Sequence, residues 1–208
     1  MIAIIDYGVC NVGAVRNLLH RAGVAAIVAD KPESLKDARK IILPGVGYFA
    51  EGMAQLRARG FVEALNRHVV EEGKPILGIC LGMQLLAAHS EEGDVEGLGF
   101  VPGRVVRFDT ARMEQPLPVP HMGWSSVTAH NPAAYTAEMM ENSRFYFTHS
   151  YHVDGLPESD VALTAEYGYP FIAGYQRGNI GGVQFHPEKS HVYGRAILKG
   201  FARDTDAF

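Results

Sequence analysis

Two cysteines in 208 residues are too few for a disulfide framework, so Cys10 and Cys80 are expected as free thiols. Basic residues are not in excess: Lys and Arg total 19 against 23 Asp and Glu, and the net charge of −4 gives no electrostatic reason for nucleic acid or an anionic membrane surface as partner. No apolar run is long enough to span a bilayer, and Asp6 cuts the N-terminal run Ile2–Ile5 short, so neither a membrane segment nor a signal peptide is expected. A cytoplasmic protein acting on a small molecule is the reading that survives. The Gly-Lys-Ser/Thr of a Walker phosphate loop is missing, and no G-x-G-x-x-G follows a strand, which excludes the usual nucleotide loops. Repeats and low-complexity tracts are also lacking. With 47% hydrophobic residues the chain can bury a full core and reads as one domain over residues 1–208.

The first half alternates short apolar runs with helical periodicity. Ile2 to Ile5, Val24 to Ala29, Ile41 to Leu43 (ending at Pro44) and Pro75 to Ile79 read as strands. Between them, Val12, Val15, Leu18, Leu19 and Ala22 mark one helix face, and Phe61, Ala64, Leu65, His68 and Val69 another. This pattern predicts an α/β fold: a mainly parallel sheet covered by helices, with functional loops at the carboxyl ends of its strands. Asp6-Tyr7-Gly8, Pro44-Gly45-Val46-Gly47 and Cys80 should gather along that edge. In the second half, runs at Leu98 to Val101, Val105 to Phe108, Trp124 to Thr128, Phe145 to Thr148, Val161 to Ala165, Phe171 to Tyr175 and Ile180 to Phe185 follow one another without helices. They predict an antiparallel or mixed extension of the sheet, with a hairpin turn at Arg177-Gly178-Asn179. Val192, Ala196, Ile197, Gly200 and Phe201 then define a closing helix.

Two stretches carry chemistry. In Gly78-Ile79-Cys80-Leu81-Gly82 a strand turns sharply into a helix, and the flanking glycines clear space where a Cβ would strike backbone. Such a turn presents Cys80 at a helix N-terminus, where unpaired N–H groups favour thiolate and, starting with that of Leu81, can hold an oxyanion. The alternative is a buried structural cysteine. In Phe185-His186-Pro187-Glu188, Pro187 forces His186 into extended geometry, so that His186 and Glu188 face one side as a base and its orienting carboxylate. Alone this motif is a surface turn; beside the Cys80 turn it makes a Cys-His-Glu acyl-transfer triad. Gly45, Val46 and Gly47 can supply a second oxyanion donor or be an ordinary turn. The spacing of His149 and His152 places them on opposite faces of an extended segment, so no metal is expected, and no cofactor. His20, His68, His89 and His130 read as surface or half-buried residues, and Trp124 as core or contact residue.

These two motifs together resemble the class I (triad) glutamine amidotransferases, a family with a flavodoxin-like α/β glutaminase fold. Within it, Asp6-Tyr7-Gly8 with Asn11, Pro44-Gly45-Val46-Gly47, Pro120-His121-Met122-Gly123-Trp124, Tyr146 to Tyr151 and Glu188-Lys189-Ser190 are similar to the glutaminase subunits of imidazole glycerol phosphate synthases. The resemblance implies that Cys80 attacks glutamine, with His186 as acid and base and Glu188 behind it. It further implies Gln84, His149, Ser150 and Tyr151 as glutamine contacts, and Asn11, Gly123 and Trp124 near a partner. That partner would be a (β/α)8 cyclase subunit in a heterodimer, receiving ammonia for histidine biosynthesis. Weak activity alone is implied, with a peptide flip in Gly45-Val46-Gly47 on partner engagement. Cys10, Ser125 and His191 depart from the family pattern, and Tyr151-His152-Val153 and Ser190-His191 lean toward paralogues that serve a sugar amidotransferase in surface polysaccharide synthesis. A non-catalytic scaffold on the same fold is the rival from another class. Strand-end geometry also brings Cys10 toward Cys80, where oxidation would link them and silence the site.

Overall fold

The computed structural model describes residues 1–203. Its first half is the expected alternation. Strands β1 (Ile2–Ile5), β2 (Ala26–Ala29), β3 (Lys40–Gly45) and β4 (Ile76–Cys80) are separated by helices α1 (Val12–Arg21), α2 (Phe49–Ala58) and α3 (Phe61–Leu65), the last continuing as a π-helix over Asn66–Glu71. Helix α4 (Leu81–Leu85) leaves directly from Cys80. The second half adds β5 (His89–Ser90), β6 (Val95–Glu96), β7 (Arg104–Arg107), β8 (His121–Ala129), β9 (Arg144–His149), β10 (Tyr151–Asp154), β11 (Val161–Glu166), β12 (Pro170–Arg177), β13 (Ile180–Val183) and the closing helix α5 (His191–Ala202).

Nine strands form one sheet in the order β2-β1-β3-β4-β13-β12-β11-β8-β9. The pairs from β2 to β13 are parallel and those from β13 to β9 antiparallel. Strand β13 returns beside β4 through the predicted turn, where Gly178 takes a φ of 55°. Alternation along the parallel strands divides the core in two. Ile2, Ile4 and Ile42 face α1 and α5, packing with Leu18, Leu19, Ile197 and Phe201. Ala3, Ile5, Ile41 and Leu43 face α2, α3 and α4, packing with Phe49, Leu56, Phe61 and Leu85. Among the described residues, no helix is long and apolar enough to cross a membrane.

Several expectations need correction. Strand β3 does not stop at Pro44: Pro44 and Gly45 stay paired with Ile79 and Cys80, which carries the strand up to the level of the nucleophile candidate. Leu98 to Val101 is not a strand. The Leu98 N–H donates to Leu85 O, and those of Phe100 and Val101 to Leu86 O, so this apolar run caps the carbonyls that α4 leaves unpaired at its end. Helix α2 was not foreseen, although its buried Phe49, Gly52, Met53 and Leu56 have helical spacing. The extension is not a single sheet either, since β10-β7-β5-β6 form a separate four-stranded one. On α5, Val192 is exposed and Gly194 takes the inner face, because a Cβ there would enter the Pro187 carbonyl. His68 is buried, its Nδ1 2.7 Å from Glu72. Residues 204–208 of the predicted domain lie outside the described residues.

Candidate active site

The strand-to-helix turn at Cys80 is as tight as its glycines suggested. Cys80 has φ 53° and ψ −112°, a conformation that side chains other than glycine rarely adopt. A Cβ at Gly78 would lie 2.6 Å from the Met83 Cα, and one at Gly82 would overlap the Leu43 carbonyl. Gly45 is equally constrained, because a Cβ there would sit 2.5 Å from the Tyr7 hydroxyl and 2.8 Å from the Gly82 nitrogen. The strand ends after β1, β3 and β4 thus crowd together as expected. Cys80 is 6% exposed rather than standing free, and the access it has is to a cavity of about 530 Å³.

The register of β13 on β4 delivers the second motif to this cavity. Val183 is opposite Ile79, so the chain leaving β13 runs past Cys80 and reaches His186 two residues after Gln184. His186 has φ −100° and ψ 97°, the extended geometry that the following proline demands. Its Nδ1–H donates to Glu188 Oε1 at 2.7 Å, with both side chains almost fully buried. The segment is pinned to β9: the His186 N–H donates to Tyr146 O, the Ser190 hydroxyl donates to His186 O at 2.6 Å, and the Tyr146 N–H donates to the Ser190 hydroxyl. Among the described residues, His186 Nε2 has no partner in direct hydrogen-bond geometry. Burial opposes the imidazolium, but the Cys80 thiolate and the Glu188 carboxylate outweigh it and push His186 up to about 10. The arrangement favours the imidazolium form of His186 beside the Cys80 sulfur.

Cys80, His186, Glu188, Leu81, Val46, Gly47, Gln84, His149, Ser150, Tyr151 and Asn11 all line this one cavity. Gly45 lies just behind it. The Leu81 N–H opens α4, whereas the Val46 N–H is turned away to Val9 O at 3.0 Å, and Gly47 has φ 99°. Gln84 Nε2 donates to Tyr151 O at 2.8 Å, as does His149 Nδ1 at the same distance, so these predicted contacts form one polar wall. Burial holds His149 well below the ordinary histidine value and His121 at about 4, so both rings are neutral at physiological pH. His149 and His152 do not diverge. The chain breaks at Ser150 between β9 and β10, and both rings pack on Phe108, with centroids 5.2 and 4.8 Å away. Among the described residues no group of three or more His, Cys, Asp or Glu is placed to hold a metal ion.

Asn11 caps α1 by accepting the Ala14 N–H. Gly123 and Trp124 do not line the cavity; Trp124 is 43% exposed on β8, beside Met122 at 63%. The departures from the family pattern have local partners: His191 stacks parallel on Trp124 at 5.7 Å, and Ser125 Oγ lies 2.9 Å from His121 Nε2. Cys10 and Cys80 are both free. The Cys10 thiol donates to Ile5 O at 3.5 Å, and burial pushes it up to about 11. Sequence reasoning missed Glu92, which lines the cavity and accepts the Phe49 N–H, whereas Tyr7, expected at this edge, has a buried hydroxyl with no partner among the described residues. It also missed Gln184, hidden in an apolar run and fully buried.

The family model for class-I glutamine amidotransferases matches residues 3–204. An imidazole glycerol phosphate synthase subunit HisH from Syntrophotalea carbinolica is 48% identical, covering 97% of this chain and 98% of that protein. Subunits designated HisH 2 are similar too: that of Methanococcus maripaludis is 44% identical over 99% of this chain and 100% of its own, and that of Pseudomonas aeruginosa 43% over 97% and 98%. Among solved structures, a glutamine amidotransferase crystal structure superposes with a TM-score of 0.73 at 20% identity, covering 97% of this chain and 96% of the other, a likeness of fold. With a match along nearly its whole length and a cysteine elbow facing a histidine–carboxylate pair, the chain belongs to the class-I glutamine amidotransferases.

Proposed function

We propose that this protein is the glutaminase subunit of an imidazole glycerol phosphate synthase, hydrolysing glutamine to glutamate and ammonia in the cytoplasm for histidine biosynthesis. The observation that carries this reading is the cavity shared by Cys80 and the His186–Glu188 pair, of a size suited to one amino acid. The Cys80 thiolate attacks the carboxamide carbon, and the negative charge moves to oxygen beside the Leu81 N–H. His186 gives its Nε2 proton to the departing amine as the tetrahedral species collapses to a thioester, releasing ammonia. The now neutral His186 takes a proton from water, hydroxide adds to the thioester, and glutamate leaves as the thiolate re-forms. Glu188 holds the imidazole tautomer and stabilises the imidazolium in both halves. Gln84, His149, Ser150 and Tyr151 grip the substrate, and Glu92 offers a carboxylate for its α-ammonium group.

The oxyanion hole is half built. With the Val46 N–H bonded to Val9 O, the Leu81 N–H acts alone; rotation of the Gly45–Val46 peptide, which two glycines make accessible, supplies the second donor. A cyclase subunit with a (β/α)8 barrel, bound as a heterodimer at a face including Asn11, Gly123 and Trp124, is the proposed trigger and recipient of ammonia. The test is glutamine hydrolysis by the chain alone and mixed with the histidine-pathway cyclase of the same source and that enzyme's nucleotide substrate. At least about a hundredfold stimulation with product formation is expected, the size of effect that one oxyanion donor commands. No complex and no stimulation from two folded proteins would turn the assignment toward the sugar-amidating paralogue.

A further inference from the structure

Gln184 is fully buried next to the nucleophile candidate, and both ends of its amide are engaged. The pairing of Val183 with Ile79 places the next residues of the two strands, Gln184 and Cys80, side by side. The Gln184 backbone N–H is held by Ala173 O at 2.9 Å, which fixes where its side chain starts. The orientation of the amide follows from its partners. A carbonyl only accepts, so the Gln84 group 2.8 Å from Tyr151 O is its NH2. That NH2 lies 3.0 Å from the Gln184 side chain, whose facing atom is therefore the oxygen. Gln184 Nε2 is left pointing at Cys80 Sγ, 3.8 Å away.

We propose that Gln184 is a further catalytic residue: its amide N–H hydrogen-bonds the Cys80 thiolate and sets the sulfur's direction of attack, while its oxygen couples the nucleophile to Gln84 on the glutamine-binding wall. The inference rests on reading Cys80 as the nucleophile. A buried thiolate needs a donor when water is excluded, and Gln184 Nε2 lies within hydrogen-bonding distance of Sγ. His186 Nε2 has no partner in direct hydrogen-bond geometry among the described residues and interacts with Cys80 chiefly through charge, which leaves it to carry the proton that the reaction moves. The titratable groups facing Cys80 are His186, with Glu188 behind it, and Tyr7 from the end of β1. A buried glutamine kept only for packing would be replaceable by an apolar side chain of similar volume, with no effect on the sulfur.

Two substitutions separate the ends of the amide. Gln184→Glu keeps an oxygen for Gln84 and, as a carboxylate, replaces the donor to sulfur with a negative charge; Gln184→Met removes both ends of the amide. In the complex with the cyclase, both are expected to lower kcat about 10- to 100-fold, the value of a hydrogen bond to a charged group. KM should rise in Gln184→Met, which releases Gln84, and stay within about threefold of wild type in Gln184→Glu. The pH midpoint for alkylation of Cys80 by iodoacetamide should rise by about one unit or more in each. A packing role would lower thermal stability and leave that midpoint in place. Cys80→Ala is the control for the underlying reading: if it hydrolyses glutamine, the nucleophile assignment fails whatever Gln184 does. If it is inactive while both Gln184 variants keep wild-type kcat and midpoint, the inference about Gln184 is overturned. For variants that do not fold, the wild type supplies the answer: the side-chain amide protons of 15N-labelled Gln184 should shift when Cys80 is alkylated, and an unchanged signal would overturn the proposal.

Discussion

Cys80→Ala is expected to retain less than about one part in a thousand of glutamine hydrolysis, while synthesis from added ammonia by the partner stays within about twofold of wild type. Among the described residues Cys80 is the one thiol that lines the cavity, and it stands beside the His186–Glu188 pair that would activate it. Cys10 is held toward Ile5 O and stays a thiol well above neutral pH, so it cannot substitute. The structural argument is that alanine accepts the φ of 53° no worse than cysteine does, and removes only the sulfur from the turn. The two rates therefore separate chemistry from folding. Glutamine turnover persisting in the variant would mean that Cys80 is not the nucleophile. Equal loss of both activities would point to a scaffold role for the turn.

Glu188→Gln carries the second large effect. Glutamine can still accept the His186 Nδ1–H now bonded at 2.7 Å, so the ring stays placed, but the carboxylate charge that stabilises the imidazolium is gone. A loss of about 10²- to 10⁴-fold in kcat is expected, the range for neutralising the carboxylate of such a triad. The pH dependence has a definite sign. His186 is raised from its ordinary value of 6.5 to about 10, so its contribution to stability is fully present below about 6.5 and is lost as pH rises toward 10. Without the carboxylate, the hydrogen bond and charge of Glu188 no longer hold the ring up, and its value falls part of the way, with the pull of Cys80 remaining. The variant should lose less melting temperature than wild type between pH 6.5 and 10, and its activity should follow a lower-lying histidine titration. An unchanged stability slope, measured by thermal melts across that interval, would remove Glu188 as a contributor and leave Cys80 as the group that raises the ring.

The candidate site was legible because Cys80, His186 and Glu188 each sit in a local pattern with a backbone reason. Gly78 and Gly82 flank the turn where a Cβ meets the backbone of Met83 and Leu43, and Pro187 forces the extended conformation of His186. The parallel half of the sheet was legible for a similar reason, since strands buried on both faces are written as continuous apolar runs. What stayed hidden depends on partners far away in sequence. Leu98 to Val101 has the composition of a strand, but its N–H groups are spent on the end of α4. The break at Ser150, which turns His149 and His152 onto one Phe108, is set by the two strands belonging to different sheets. Gln184 reads as a stray polar residue in a strand until the register beside Ile79 and Cys80 gives it two partners. The orientation of the Val46 N–H toward Val9 O is a backbone choice that glycine content permits and does not decide.

The central claim is that the thiolate of Cys80 reacts with glutamine held in the cavity between α4 and the His186–Glu188 segment. Its most direct test uses 6-diazo-5-oxo-L-norleucine, a glutamine analogue whose diazoketone alkylates a nucleophile that accepts the glutamine skeleton. After incubation of the chain with its cyclase partner, digestion and peptide mapping should find one adduct, on Cys80, and an excess of glutamine should suppress it. An adduct on Cys10, labelling that glutamine does not compete with, or no adduct in a complex that turns over glutamine would contradict the account.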